Sequence, residues 1–225
     1  MSYLVVVAHP DDEILGAGAT IAKLTEQGKE VNVCILSGEA EARANKPSDK
    51  GLDFDMQSAT KYLGVHKIIK GKFPNIEFNT VPHLAMVQFI ENAIIQTGAD
   101  VLFTHHPSDL NNDHLCTSTA CQVASRLSMR RSDVKPIREL LFMEVLSATD
   151  WSFNTVSPAF KPNTYYHVGE RLIDKKIEAL SKYYGVMREF PHSRSAETIK
   201  ALSVIRGSQC GVAYAEAFES VYKSV

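Results

Sequence analysis

Residues 3–13 of this chain, YLVVVAHPDDE, pass directly from an apolar run into a cluster of charged and ligand-type side chains. The run at 3–8 is β-branched and lacks polar alternation, which is typical of a strand buried on both faces of a parallel sheet. Over 14–26 the apolar residues then recur on one helical stripe, and Gly28 follows as a stop signal. This segment therefore predicts a strand, a polar turn and a helix in succession.

The same alternation continues through the part of the chain before Trp151. Further strands are expected at 31–36, 66–69, 101–104 and 139–145, and further helices at 54–63, 82–96 and 112–130. Strands separated by helices of this length indicate βαβ units, and hence a Rossmann-like α/β fold with a parallel-rich sheet and helices on both faces. Residues 37–53 are polar and contain glycine and proline, which favours a long active-site loop. From Trp151 onward the alternation is lost, and we expect a less regular C-terminal extension.

Composition and charge argue against several classes of protein. The chain has 225 residues, 44% of them hydrophobic, and a formal net charge of -2, which suits one domain spanning 1–225. There is no basic run interleaved with aromatic residues to indicate a nucleic-acid partner, and the first apolar run is too short to cross a membrane. The four cysteines form no CxxC pair, so we expect reduced thiols in a cytoplasmic protein.

The polar turn after the first strand carries the first candidate metal ligands. His9 and Asp12 lie three positions apart across the turn from strand to helix, so that an imidazole nitrogen and a carboxylate oxygen can converge on one zinc ion. The alternative is a helix cap, with Asp11 or Asp12 capping and His9 packed in the core. Capping requires one acidic residue, whereas this turn contains three.

A second polar cluster, HHPSDLNNDH at 105–114, follows the fourth predicted strand. His114 from this cluster is a candidate third ligand, which would complete a His₂Asp set with an open position for water. In proteins with open parallel sheets, bound molecules and ions lie beyond the carboxyl ends of the strands. Because both clusters stand at such ends, the sequence predicts that they meet in one site.

Together the two motifs resemble those of the PIG-L/LmbE-like N-deacetylases, a family that removes acetyl groups from N-acetylated amino sugars and related glycoconjugates. The string AHPDDE is the most specific part of the resemblance. Weaker matches follow in the same order along the chain, at 62–64, 73–74, Glu144, 160–163, 176–180, 191–195, 206–207 and 215–218. One departure is Asn75, which stands where the family usually has aspartate.

The resemblance implies a role for each residue of the two motifs. His9, Asp12 and His114 would bind Zn²⁺ or another divalent metal, and Asp11 would be the general base. The residues alone do not separate Asp11 from Asp12 beyond the spacing of the His9–Asp12 pair. Asp113 would orient a ligand or a donor, or would serve only as a carboxylate at a helix N-terminus.

Further site residues are implied less directly. Arg43 in the 37–53 loop, together with His192 and Arg194 from the C-terminal part, would contact the substrate. Many relatives have a histidine three positions before the last metal ligand, where this chain has Asn111. We therefore predict that Asn111 is a neutral oxyanion donor; the alternative is that His192 takes this role and Asn111 only caps the helix.

The function expected from these features is hydrolysis of an N-acetylated amino sugar or glycoconjugate, free or nucleotide-linked, by water that a metal activates. One alternative is an amidase acting on a thiol-sugar conjugate or an antibiotic sugar. Another is a Rossmann-like module that binds without catalysis, although no GxGxxG follows the first strand. The expected partner is a small sugar rather than nucleic acid or membrane. Assembly into a homo-oligomer is left open, since some family members form one.

Overall fold

The computed structural model describes residues 1–38, 49–153 and 158–225. A seven-stranded sheet runs through this part of the chain in the order β3-β2-β1-β4-β5-β7-β6. The strands are β1 Ser2–Val7, β2 Glu30–Ile35, β3 Lys67–Lys70, β4 Val101–His105, β5 Glu139–Met143, β6 Thr164–His167 and β7 Ala215–Lys223. The first five pair in parallel, whereas β7 pairs antiparallel with both β5 and β6.

Helices cover both faces of the sheet, as the sequence predicts. They are α1 Asp12–Glu26, α2 Asp49–Leu63, α3 His83–Thr97, α4 Asn112–Ala124, α5 Glu170–Leu180 and α6 Ala196–Gln209. In β1, Val5 and Val7 pack in the apolar layer under α1, α2 and α5, while Leu4 and Val6 pack in the layer under α3 and α4. This arrangement explains why the strand shows no polar alternation. Within the described residues, no helix is long and apolar enough to span a bilayer.

Two predicted boundaries differ from the structure by more than two residues. Helix α4 ends at Ala124 rather than at 130. Directly after Ala124, the Ser125 hydroxyl donates a hydrogen bond to the Gln122 carbonyl and so competes with the helical hydrogen bonds. A short 3₁₀ helix, Leu127–Met129, then follows. Helix α2 already begins at Asp49, so the end of the predicted 37–53 loop is helical. The centre of that loop, with Arg43, lies outside the described residues.

The C-terminal part contains two helices and two strands that its sequence pattern did not predict. It also inserts a buried ion pair beside α1, which is kinked at Ala17, where φ is -141°. The Glu216 carboxylate accepts the backbone N–H groups of Ala19 at 3.2 Å and Thr20 at 2.6 Å. Lys176 Nζ donates to Glu216 Oε1 at 2.7 Å and to the Leu15 carbonyl at 2.8 Å. The pair therefore satisfies backbone groups on both sides of the kink.

Candidate metal centre

The two polar motifs meet because β1 and β4 are parallel neighbours in the sheet. Their carboxyl ends open into a cavity of about 170 Å³. The turn after β1 and the segment leading into α4 form its floor, and two further segments, 75–76 and 147–148, contribute to its walls. Arg194 reaches the cavity from the C-terminal part. The sequence analysis had named residues of the floor and Arg194 as site residues, but it assigned no role in the site to the segments 75–76 and 147–148.

The three predicted metal ligands converge on one point. Ligand atoms of His9, Asp12 and His114 all lie within 4.8 Å of one another. Asp12 Oδ2 lies 3.2 Å from His9 Nδ1 and 3.2 Å from His114 Nε2. The three side chains are 12%, 2% and 3% exposed, respectively. Their shielding and their His₂Asp composition match a divalent-metal site that leaves a position open for water.

A carboxylate stands behind each of the two histidines. His9 Nε2 lies 3.0 Å from Asp113 Oδ2, and His114 Nδ1 lies 2.9 Å from Asp109 Oδ2. Such partners fix the tautomer and orientation of a metal-binding imidazole and leave its other nitrogen free for the metal. The inner nitrogens, His9 Nδ1 and His114 Nε2, are the ones that face Asp12. The residues present therefore fit a bound divalent metal.

The electrostatics of the cluster also favour a cation. Burial opposes protonation of His114, but the charge of Asp12 and the hydrogen bond to Asp109 outweigh it and raise the pKa of His114 to about 10. For His9, burial is likewise outweighed by hydrogen bonds to Asp113 and Asp12, and its pKa is raised. Burial alone would raise the pKa of Asp12, yet the two histidines hold it well below its usual value. The same carboxylates would also attract a metal ion, which binds when the imidazoles release their protons.

His105 supports His114 rather than forming a second site. Its ring stacks on that of His114 with centroids 3.7 Å apart, and its Nε2 accepts the Ala8 N–H at 2.9 Å. Burial and the neighbouring His114 lower its pKa well below the usual value, so that it is neutral. His105, Asp109 and His114 also bring ligand atoms within 4.8 Å, but Asp109 already bonds His114 Nδ1.

Asp11 stands at the floor of the cavity beside the ligands. It precedes α1 with a left-handed backbone, φ 100°, and its Oδ2 lies 3.3 Å from Arg194 Nη1. Its backbone N–H donates to Glu13 Oε2 at 3.0 Å, while the Tyr183 hydroxyl donates to Glu13 Oε1 at 2.7 Å. Glu13 is fully buried, and this burial raises its pKa to about 8. Glu13 and Tyr183 thus hold the backbone turn that presents Asp11.

The sequence analysis assigned no role to Glu13 or Tyr183. For Glu13 a signal was available, since capping did not account for three acidic residues in one turn. Tyr183 lies 170 positions away from its partner, and no local pattern connects them.

The Asp113 carboxylate lies in the first turn of α4 and also contacts residues outside that helix. Besides His9, its carboxylate accepts the backbone N–H groups of Ile76 at 2.7 Å and Phe78 at 3.0 Å. Asn111 caps α4 by accepting the Asp113 N–H at 2.9 Å on its side-chain oxygen. It also lines the cavity, where its amide nitrogen is the end able to donate to a ligand.

The two C-terminal candidates occupy different positions. Arg194 lines the cavity, and its Nε donates to the Ser147 hydroxyl at 2.7 Å. His192 is not among the described residues that line the cavity. Its Nδ1 accepts the Arg194 backbone N–H at 3.0 Å, and its ring packs edge-on against Trp151. Of the two side chains, the structure brings only Arg194 to the proposed ligands.

Comparison with known proteins gives matches over most of the chain. A family model for GlcNAc-PI de-N-acetylase (PIG-L) matches residues 4–125. The uncharacterized deacetylase YaiS of Escherichia coli is 30% identical over 190 residues, which cover 80% of this chain and 89% of YaiS.

Two solved structures show how widely the fold is used. N,N'-diacetylchitobiose deacetylase from Pyrococcus horikoshii superimposes with a TM-score of 0.78 at 18% identity, over 98% of this chain and 83% of the other. GalB, a 4-carboxy-2-hydroxymuconate hydratase from Pseudomonas putida, gives 0.77 at 20% identity, over 100% and 97%. Because a deacetylase and a hydratase share the architecture, the fold alone does not decide the reaction.

Proposed function

Since the chain belongs to the PIG-L family and is by that membership an N-deacetylase, we propose that it is zinc-dependent and acts on an N-acetylated amino sugar. The observation that carries the proposal is the convergence of His9, Asp12 and His114 within 4.8 Å, with a carboxylate behind each histidine. A donor set with two nitrogens suits zinc better than magnesium, which prefers oxygen ligands. The seven-stranded sheet that carries this site also includes the C-terminal strands, which supports one domain over 1–225.

The proposed reaction adds water across the amide and releases acetate and a free amine. A zinc ion held by the three ligands would supply Lewis-acid chemistry, by polarising the acetyl carbonyl and making water a better nucleophile near neutral pH. Asp11 takes the proton from the attacking water and returns it to the nitrogen of the leaving amine. This role needs a carboxylate beside the ligands, and Asp11 lines the cavity next to Asp12.

Asn111 is the proposed donor to the oxyanion that forms as water attacks the carbonyl. Its side-chain oxygen is occupied by the cap of α4, which orients the amide nitrogen without consuming it. An amide donates a hydrogen bond but does not titrate, so Asp11 alone would move the proton. His192 is the rival candidate for this role, although it does not line the cavity in the described part of the chain.

Arg194 is proposed to contact the sugar. It lines the cavity and is fixed through Ser147 and Asp11. The structural similarity to a diacetylchitobiose deacetylase supports a substrate with an acetamido sugar. Arg43 and His192 remain predictions as further substrate contacts.

A panel of N-acetylated sugars tests the proposal. Free, nucleotide-linked and glycosidic N-acetylhexosamines are incubated with the protein, and acetate and free amine are measured. We expect release that a chelator abolishes and added zinc restores. Activity confined to acetylated lysine peptides, with none on any sugar, would contradict the substrate assignment.

Metal content tests the ligands separately from activity. His114→Ala should lose the bound metal, because it removes one of three ligands. The matched control is His83→Ala, at an exposed histidine that begins α3, which should keep its metal. Undiminished metal in His114→Ala, measured by elemental analysis, would refute the ligand set.

A further inference from the structure

Ile76 has a backbone conformation that its residue type disfavours. Its φ is +63°, and a β-branched residue with positive φ is a genuine outlier. It occupies the third position of a turn at 74–77, in which the Glu77 N–H donates to the Pro74 carbonyl at 3.3 Å. Turns that need positive φ at this position normally place glycine or asparagine there.

The surrounding structure holds this strained turn in place. Asp113 accepts the N–H groups of Ile76 and Phe78, one on each carboxylate oxygen. The oxygen that accepts from Ile76 also lies 3.0 Å from His9 Nε2. The turn is therefore fastened to the same carboxylate that stands behind a proposed metal ligand, and its position is fixed relative to that ligand.

The side chain that this turn presents lies at the mouth of the cavity. Ile76 lines the cavity and is 49% exposed, whereas Asp11 and His114 at the floor are buried. An apolar side chain that is half exposed contributes little to the core, so packing does not explain it. Strained backbone persists where function requires it, and here it places an apolar group above the proposed reaction centre.

We propose that Ile76 is a specificity-determining residue that contacts an apolar substituent of the substrate, away from its acetamido group. The inference rests on the proposed function and deepens it. Because Ile76 stands at the mouth, it contacts the substrate away from the scissile amide. It therefore favours N-acetyl sugars that carry an apolar substituent, such as an aromatic aglycone, over the free sugar.

The variant Ile76→Asn tests this inference, since asparagine tolerates positive φ and removes the apolar contact. For the phenyl glycoside of an N-acetylated amino sugar, KM should rise about 3–10-fold, as for loss of a half-buried aliphatic contact, with little change in kcat. For the free sugar, KM should change by less than about twofold, so that the preference for the glycoside is lost. Relief of strain should at the same time raise Tm by roughly 2–4 °C.

Phe153→Asn is the matched control. Phe153 also has positive φ, +53°, is 77% exposed and is not among the described residues that line the cavity. This variant should gain stability in the same way, with unchanged KM on both substrates. An active Ile76→Asn enzyme that keeps the wild-type preference would overturn the inference alone. A wild-type protein that deacetylates no sugar would overturn the proposed function as well, so the two failures are distinguishable.

Discussion

Replacing Lys176 with methionine should destabilise the protein strongly, although the residue lies outside the cavity. The side chain is 7% exposed, and its ammonium is the cationic partner of the buried Glu216 carboxylate, 2.7 Å away. Methionine keeps most of the apolar volume but removes the cation, so that among the described residues the carboxylate keeps the backbone N–H donors of Ala19 and Thr20. Breaking one side of a buried pair costs about 3–5 kcal/mol. For a chain of this length that corresponds to a fall in Tm of roughly 6–20 °C.

Chemical denaturation followed by circular dichroism measures the loss of unfolding free energy. The neighbouring lysine offers a matched control, since Lys175 pairs with Glu26 at 3.0 Å on the surface, where the two side chains are 21% and 37% exposed. Lys175→Met should cost less than about 1 kcal/mol. A double variant, Lys176→Met with Glu216→Gln, should recover part of the loss, because it removes the stranded charge.

Two results would refute this reasoning. If Lys176→Met costs no more than Lys175→Met, the buried pair does not stabilise the kink of α1. If the double variant is as unstable as Lys176→Met, the cost does not come from an uncompensated carboxylate at Glu216.

Three further predictions concern catalysis. Asp11→Asn should keep its metal and lose about 10²–10⁴-fold in kcat. Asp12→Asn should instead bind metal at least about tenfold more weakly, as expected for a lost ligand. The opposite pattern would exchange the two roles. Asn111→Ala should lower kcat by about 10²–10³-fold with little change in metal content. If kcat is near normal in Asn111→Ala but falls strongly in His192→Ala, then His192 is the oxyanion donor. Tyr183→Phe removes the hydroxyl that donates to the buried Glu13 carboxyl group, so it should cost about 1–3 kcal/mol and lower kcat with metal retained. Wild-type Tm and kcat would contradict the positioning role.

The first half of the fold could be predicted because its signals are local. The apolar run of β1, the helical stripe of α1 and the polar turn between them are short-range patterns. Polar clusters at the ends of two strands then indicated a site, since parallel strands present their carboxyl ends at one edge. The same local signals misplaced the end of α4, where the Ser125 hydroxyl competes for a backbone carbonyl.

The C-terminal strands gave no comparable signal. Strand β6 forms one edge of the sheet and β7 lies next to it, and both strands are only partly buried, so their residues need not follow one apolar period. The antiparallel pairing of β7 with β5, and of β6 with β7, is determined by packing between distant segments rather than by the residues of either strand alone.

From the amino-acid sequence one can identify His9, Asp12 and His114 as candidate metal ligands, because they stand beside strands and helices that form from local periodicity. The groups that support them depend on how distant segments pack. The Glu216 carboxylate meets the backbone of α1 across 197 positions of sequence, and Asp113 joins His9 to the strained turn at Ile76. Such contacts have no local signature, since buried polar groups take whichever partner the packed chain brings within reach.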